Sequence, residues 1–169
     1  MRTITTTLYY FDELPTEKAK ENARSWWRDN SDKDYDFTTE KLTSVDAFAE
    51  YFGARVASYW FSSNISETKI AIVGVDADSF VGIDTYITDR DHMPTGYYLD
   101  CDLWQTFYDE VREHGDPLLA FNRSILAAKK AIAEDVEHQE SDEYIDEVLT
   151  INEYEFTEDG KLYKHTQTS

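Results

Sequence analysis

Carboxylates are the reactive side chains this sequence holds in excess, and one stretch carries them with no base among them. Between Lys130 and Lys161 there is no Lys or Arg, while Glu134, Asp135, Glu137, Glu140, Asp142, Glu143, Asp146, Glu147, Glu153, Glu155, Glu158 and Asp159 all fall there. Carboxylates can move protons in hydrolysis, ligate a hard cation, or present negative charge to a basic partner. With 35 acids in the chain any two can meet in space, so abundance singles out no hydrolytic pair.

The cation reading fails on spacing. An EF-hand loop needs Gly at its sixth position and Glu at its twelfth. Counted from Asp76 these positions hold Val81 and Ile87, and from Asp32 they hold Phe37 and Thr43. The remaining acids of that second stretch, Asp78, Asp84, Asp89, Asp91, Asp100 and Asp102, follow no ligand spacing either. His92, His114, His138 and His165 form no zinc-spaced pair, and the single Cys101 cannot complete a cluster. No Gly-rich phosphate loop is present, and no motif orients Cys101 and His92 as a nucleophile and base. The expectation is a protein without catalytic residues, metal or cofactor.

The third reading rests on helical period. Apolar residues Leu118, Phe121, Ile125, Ala128, Ile132 and Val136 step by three or four, which marks one face of a helix starting at Pro117. Glu134 and Asp135 point off that face, and Glu137 and Glu140 continue the acidic run. Ser141 can cap a further helix with Asp142 and Glu143 in its first turn, and Glu143, Asp146 and Glu147 lie opposite its apolar Ile145 and Val148. Helical neighbours three or four apart are about 5–6 Å from each other, the scale of successive phosphates on a nucleic-acid strand. Glu134, Asp135, Glu137, Glu140, Asp142, Glu143, Asp146 and Glu147 are therefore the candidate face for a basic, nucleic-acid-binding partner. On this reading Gln or Asn at Glu143, Asp146 and Glu147 relieves repulsion and leaves the fold intact. The plain alternative is a solvated face that keeps the protein soluble.

Composition frames that choice. The chain has 169 residues, a formal charge of −19, 41% hydrophobic and 15% aromatic residues. Disordered acidic segments are poor in aromatics, so a folded chain is expected, as a single acidic α+β domain over residues 1–169. The charge disfavours direct DNA or RNA binding. One cysteine fits a reducing compartment, the opening residues hold no signal-peptide apolar run, and no stretch nears the roughly 18 apolar residues of a spanning helix. A cytoplasmic protein that binds no membrane is expected; its oligomeric state is open.

The elements that must carry the acids read as follows. Thr3–Tyr10 is expected as a first strand. A helix from Pro15 buries Ala19 and Ala23, with one of Trp26 and Trp27 in the core and the other at the stripe edge. A helix from about Thr38 buries Leu42, Val45, Phe48, Ala49 and Phe52 and stops at Gly53. Strands are expected at Arg55–Ser62, Thr68–Val75 and Phe80–Ile87, then a loop to Leu99. Asp100 or Asp102 caps a helix through Leu103, Trp104, Phe107, Tyr108 and Val111 to Gly115. A hairpin with an Asp159-Gly160 turn closes the chain and shares a sheet with the first strand. The class is α+β: N-terminal strand, central antiparallel strands and C-terminal hairpin packed with about five helices.

Leu8-Tyr9-Tyr10-Phe11-Asp12-Glu13-Leu14-Pro15 followed by Lys18-Ala19-Lys20-Glu21-Asn22-Ala23 resembles the start of a group of small phage and prophage accessory proteins, with their "DEL…AKEKA" helix. Ile151 to Lys161 resembles their "NEYEFTEDGK" ending, and Val75-Asp76-Ala77-Asp78 loosely fits their Asp-rich middle. Such proteins are often labelled antitoxin-like. The resemblance implies a mobile-element origin and brings no catalytic residues. Charge and resemblance together predict a non-catalytic inhibitor that mimics nucleic acid on a basic host protein, as in anti-CRISPR or anti-restriction defence. An antitoxin covering a basic toxin and a small enzyme with an unrecognised site remain the alternatives.

Overall fold

The computed structural model describes residues 5–30, 36–81 and 95–163. Within them the chain forms five helices, α1 (Glu17–Asn30), α2 (Asp36–Tyr51), α3 (Leu99–His114), α4 (Pro117–Glu140) and α5 (Asp142–Ile151), and two strands, β1 (Arg55–Trp60) and β2 (Lys69–Val73). The class is α+β. The chain groups into two compact units, residues 1–33 with 138–169 and residues 34–137.

The larger unit is built on aromatic side chains. Phe48 of α2 lies 4.8 Å from Trp104 of α3 and stacks 5.4 Å from Phe121 of α4. Phe52, Phe80, Leu103, Phe107 and Ile132 complete that core. The strands pair antiparallel, with Val56, Ile70 and Ile72 turned toward the core. Gly53 ends α2's turn at φ 74°, and Gly115 ends α3 at φ 66° with its N–H donating to the Val111 carbonyl. Both are left-handed positions where a Cβ is disfavoured.

The smaller unit packs α1 on α5 around Ala19, Ala23, Ile145, Leu149 and Phe156. Ser141 caps α5 by accepting from the Tyr144 N–H at 3.3 Å, as its position before an acidic first turn predicts. Phe156 sits between Tyr9 on one side and Leu162 on the other in isolated antiparallel bridges. Gly160 at the hairpin turn presses on α1: a Cβ there would stand 1.9 Å from the Ala19 carbonyl oxygen.

Several expected elements differ. Among the described residues of Thr3–Tyr10 only Tyr9 pairs, because the chain turns at once into a 3-10 turn, Phe11–Glu13, closed by the Glu13 carboxylate accepting from the Tyr10 N–H. Phe80 ends another 3-10 turn, Ala77–Phe80, instead of opening a strand. The Asp76 carboxylate accepts the Ser79 N–H at 3.0 Å, a local bond that competes with a ladder. Residues 82–87 of the expected third strand, Asp84 among them, lie outside the described residues, as do Asp89, Asp91 and His92 of the expected loop and His165. Neither Asp100 nor Asp102 caps α3. Asp100 lies buried in its first turn and reaches back to accept from the Thr95 and Gly96 N–H groups at 2.9 and 3.0 Å. Trp26 and Trp27 do not divide into core and edge. Both are half-buried, at 5.4 and 6.2 Å from Tyr154, because the hairpin covers a broad strip of α1. Leu118, expected on α4's apolar face, is exposed.

Candidate partner-binding surface

The candidate acids sit on the last turns of α4 and on α5, and they fall into two kinds. Glu137, Glu140, Glu143 and Glu147 are exposed and have no cationic partner among the described residues. The other four are paired. Glu134 faces Lys130 at 3.6 Å, Asp135 is bonded by Lys41, Asp142 by Arg28 and Asp146 by Arg24. Glu134, Asp135 and Glu137 belong to the larger unit, and Glu140, Asp142, Glu143, Asp146 and Glu147 to the smaller.

Arg24 explains why Asp146 is no free surface charge. Its Nε and Nη2 donate to the two Asp146 oxygens at 2.7 and 2.9 Å, and its Nη1 donates to Glu17 at 2.7 Å and to Glu21 at 3.3 Å. The guanidinium lies over the Phe11 ring and the residue is only 8% exposed. The hydrogen bonds with Asp146, above all, hold its pKa above the ordinary arginine value, with Glu17 adding to them against the opposing effect of burial. A bidentate Arg–carboxylate pair with a buried guanidinium is the strong kind. The expectation that Asp146 can become Asn at no cost is therefore corrected: this carboxylate ties α5 to α1. Its ridge neighbours Glu143 and Glu147 stay free of that role.

In the larger unit carboxylates of three helices act on one another and on Tyr98. Asp102 on α3 has its pKa raised, first by burial and then by the charge of Glu134 on α4. The Tyr98 hydroxyl is pushed up to about 12, chiefly by burial and further by Asp135, Asp102 and Glu40. Three carboxylates, Glu40 from α2, Asp102 from α3 and Asp135 from α4, thus act on one tyrosine, and Asp102 is held against its preference for charge. Lys41, only 3% exposed, is taken up by Asp135. Glu40 and Asp102, which join Asp135 and Glu134 here, are not among the partner-facing acids expected from the sequence. A helical period shows which face of one helix is polar but not which other helix stands beside it.

Two open grooves, about 460 Å³ beside Thr5–Thr7, Tyr9 and Thr157–Asp159 and about 350 Å³ between α2 and β1, hold neither His nor Cys. His114 sits 3.3 Å from Glu110, His138 packs on the Tyr144 ring, and Cys101 is exposed on α3. Among the described residues no three His, Cys, Asp or Glu side chains are placed to hold a metal ion. None of the described helices is long and apolar enough to cross a membrane. Compared with family models, curated proteins and solved structures, the chain matches none.

Proposed function

We propose that the protein is a non-catalytic inhibitor of mobile-element origin whose carboxylates occupy the basic nucleic-acid-binding surface of a host protein. The observation that carries this reading is the Asp102–Glu134 corner. Asp102, whose pKa is raised first by burial and then by the charge of Glu134, acts on Tyr98 together with Glu40 and Asp135. Like charges held this way oppose folding, and a basic side chain from a partner would relieve them. Glu137 in the larger unit, and Glu140, Glu143 and Glu147 in the smaller, are exposed with no cationic partner among the described residues, and the net charge of −19 would steer a basic partner toward the molecule.

The test is capture of cytoplasmic proteins of the host by the tagged chain at low and moderate salt, followed by competition with duplex DNA and with RNA. The expected result is a nucleic-acid-binding protein that competitor releases and that binds more weakly from about 50 to about 300 mM salt. Binding should also weaken as pH falls through the raised Asp102 range, because protonation removes the charge the partner meets. A captured protein indifferent to salt and competitor overturns the reading. Capture of a small basic toxin encoded beside the chain would instead identify the antitoxin alternative.

A further inference from the structure

The exposed face of the β1–β2 sheet reverses the character of the rest of the molecule. Neither strand, RVASYW or KIAIV, contains a carboxylate. Cations elsewhere are mostly consumed: Arg24, Arg28, Lys41, Arg112, Arg123, Lys130 and Lys161 all meet acids. Arg55 and Lys69 meet none among the described residues, and both stand on this sheet.

The register puts them on one face. Arg55 pairs with Val73, Ser58 with Ala71 and Trp60 with Lys69, while Val56–Ile72 and Tyr59–Ile70 are the alternate pairs. Arg55 and Trp60 are separated by an odd number of residues, so in a regular strand they would point to opposite sides. The irregularity between Val56 and Ser58 inserts one unpaired residue, Ala57, and restores Arg55 to the outer face. The result is a floor of Ser58, Ala71 and Val73 with Arg55 at one end and Lys69 beside Trp60 at the other. Trp60 is 65% exposed. Four residue steps along β2 separate the ends by about 13 Å.

We propose that this face docks an extended segment of a partner protein that carries carboxylates at positions i and i+4 and an apolar side chain at i+2. Those three side chains point to one side of an extended segment, and the ends match the cation spacing. The small floor of Ser58, Ala71 and Val73 receives a methyl-bearing side chain and places no cation between the two ends to meet a continuous phosphate backbone. A nucleic-acid strand would also bring many charges against a protein of −19, whereas such a segment brings two. Trp60 supplies the aromatic anchor. This surface uses none of the acids of the function proposed above, so it stands or falls independently of that function.

The experiment uses the full chain and a fluorescein-labelled peptide, Gly-Asp-Thr-Val-Thr-Glu-Gly, read by fluorescence polarisation. Comparison ligands are the same peptide with Lys in place of Asp and Glu, and a labelled oligothymidylate of similar length. The acidic peptide should bind saturably, R55E/K69E should weaken it at least about tenfold, and W60A should weaken it while W60F retains it. R55E/K69E and W60A should keep the wild-type melting temperature, since these side chains are exposed, and E143Q/E147Q should bind the peptide unchanged. Equal binding of the lysine peptide, indifference to R55E/K69E, or no binding overturns the proposal. Tighter binding of the oligothymidylate also overturns it and makes the face a nucleic-acid platform. An oligomer that R55E/K69E dissolves overturns it in favour of a second copy.

Discussion

One acid cluster in the smaller unit and one in the larger are treated oppositely. In the smaller unit α1 carries Arg24 and Arg28 against α5, and they bind Glu17, Glu21, Asp142 and Asp146. Those acids serve the fold. In the larger unit Asp102, Asp135 and Glu40 act on Tyr98 and Glu134 acts on Asp102, with Lys41 bonded to Asp135 and Lys130 facing Glu134. There the charge is partly unbalanced. Acid content alone therefore says little about what an acid does; the position of the nearest base decides it.

The comparison is broken most severely at Arg24. R24A removes the shared partner of Asp146, Glu17 and Glu21 and leaves α5's carboxylate against α1 without its cation. A loss of about 2–4 kcal/mol in denaturant-unfolding stability is expected, at the lower end of that range because Asp146 is partly solvated. An unchanged midpoint would mean that α1 and α5 are held by apolar contact alone. The second perturbation is G160A. Its Cβ would overlap the Ala19 carbonyl and strain a φ of 79°. About 1–3 kcal/mol should be lost, measured by thermal unfolding, and the hairpin amides should exchange faster.

Asp102 sharpens the comparison from the other side. Its folded-state pKa lies above its unfolded value, so the folded state takes up a proton more readily. The carboxylate's contribution to stability is full at acid pH and is lost as pH rises through the raised range. D102N should therefore be more stable than wild type at pH 7, and the two should converge below that range. A variant less stable at neutral pH would show that Asp102 is needed as an anion. The smallest effect belongs to E143Q/E147Q. Both side chains are exposed and unpaired, so stability should stay within about 0.5 kcal/mol. Association with the captured basic partner should slow and lose salt dependence.

Much of the scaffold was legible in the residues. Phe48, Phe52, Trp104, Phe107, Phe121 and Ile132 recur at helical spacing and form the larger core. Pro117, Gly115, Ser141 and Gly53 mark element ends through their own backbone chemistry. These signals are local, and physics within a few residues suffices to read them. The acidic, base-free window was legible for the same reason.

What each carboxylate does was not. Asp146 meets Arg24 across 122 residues, and Asp135 meets Lys41 across 94. A window free of bases in sequence is thus not free of them in space. The coupling of Asp102 to Glu134 joins different helices, and the bulge at Ala57 decides which side of the sheet Arg55 faces. The sequence by itself determined the net charge, the helical faces and the caps, because these depend on composition and on neighbours three or four residues away. Only the tertiary structure decided which acids are neutralised, because Coulomb interactions fall off with distance through space and ignore distance along the chain.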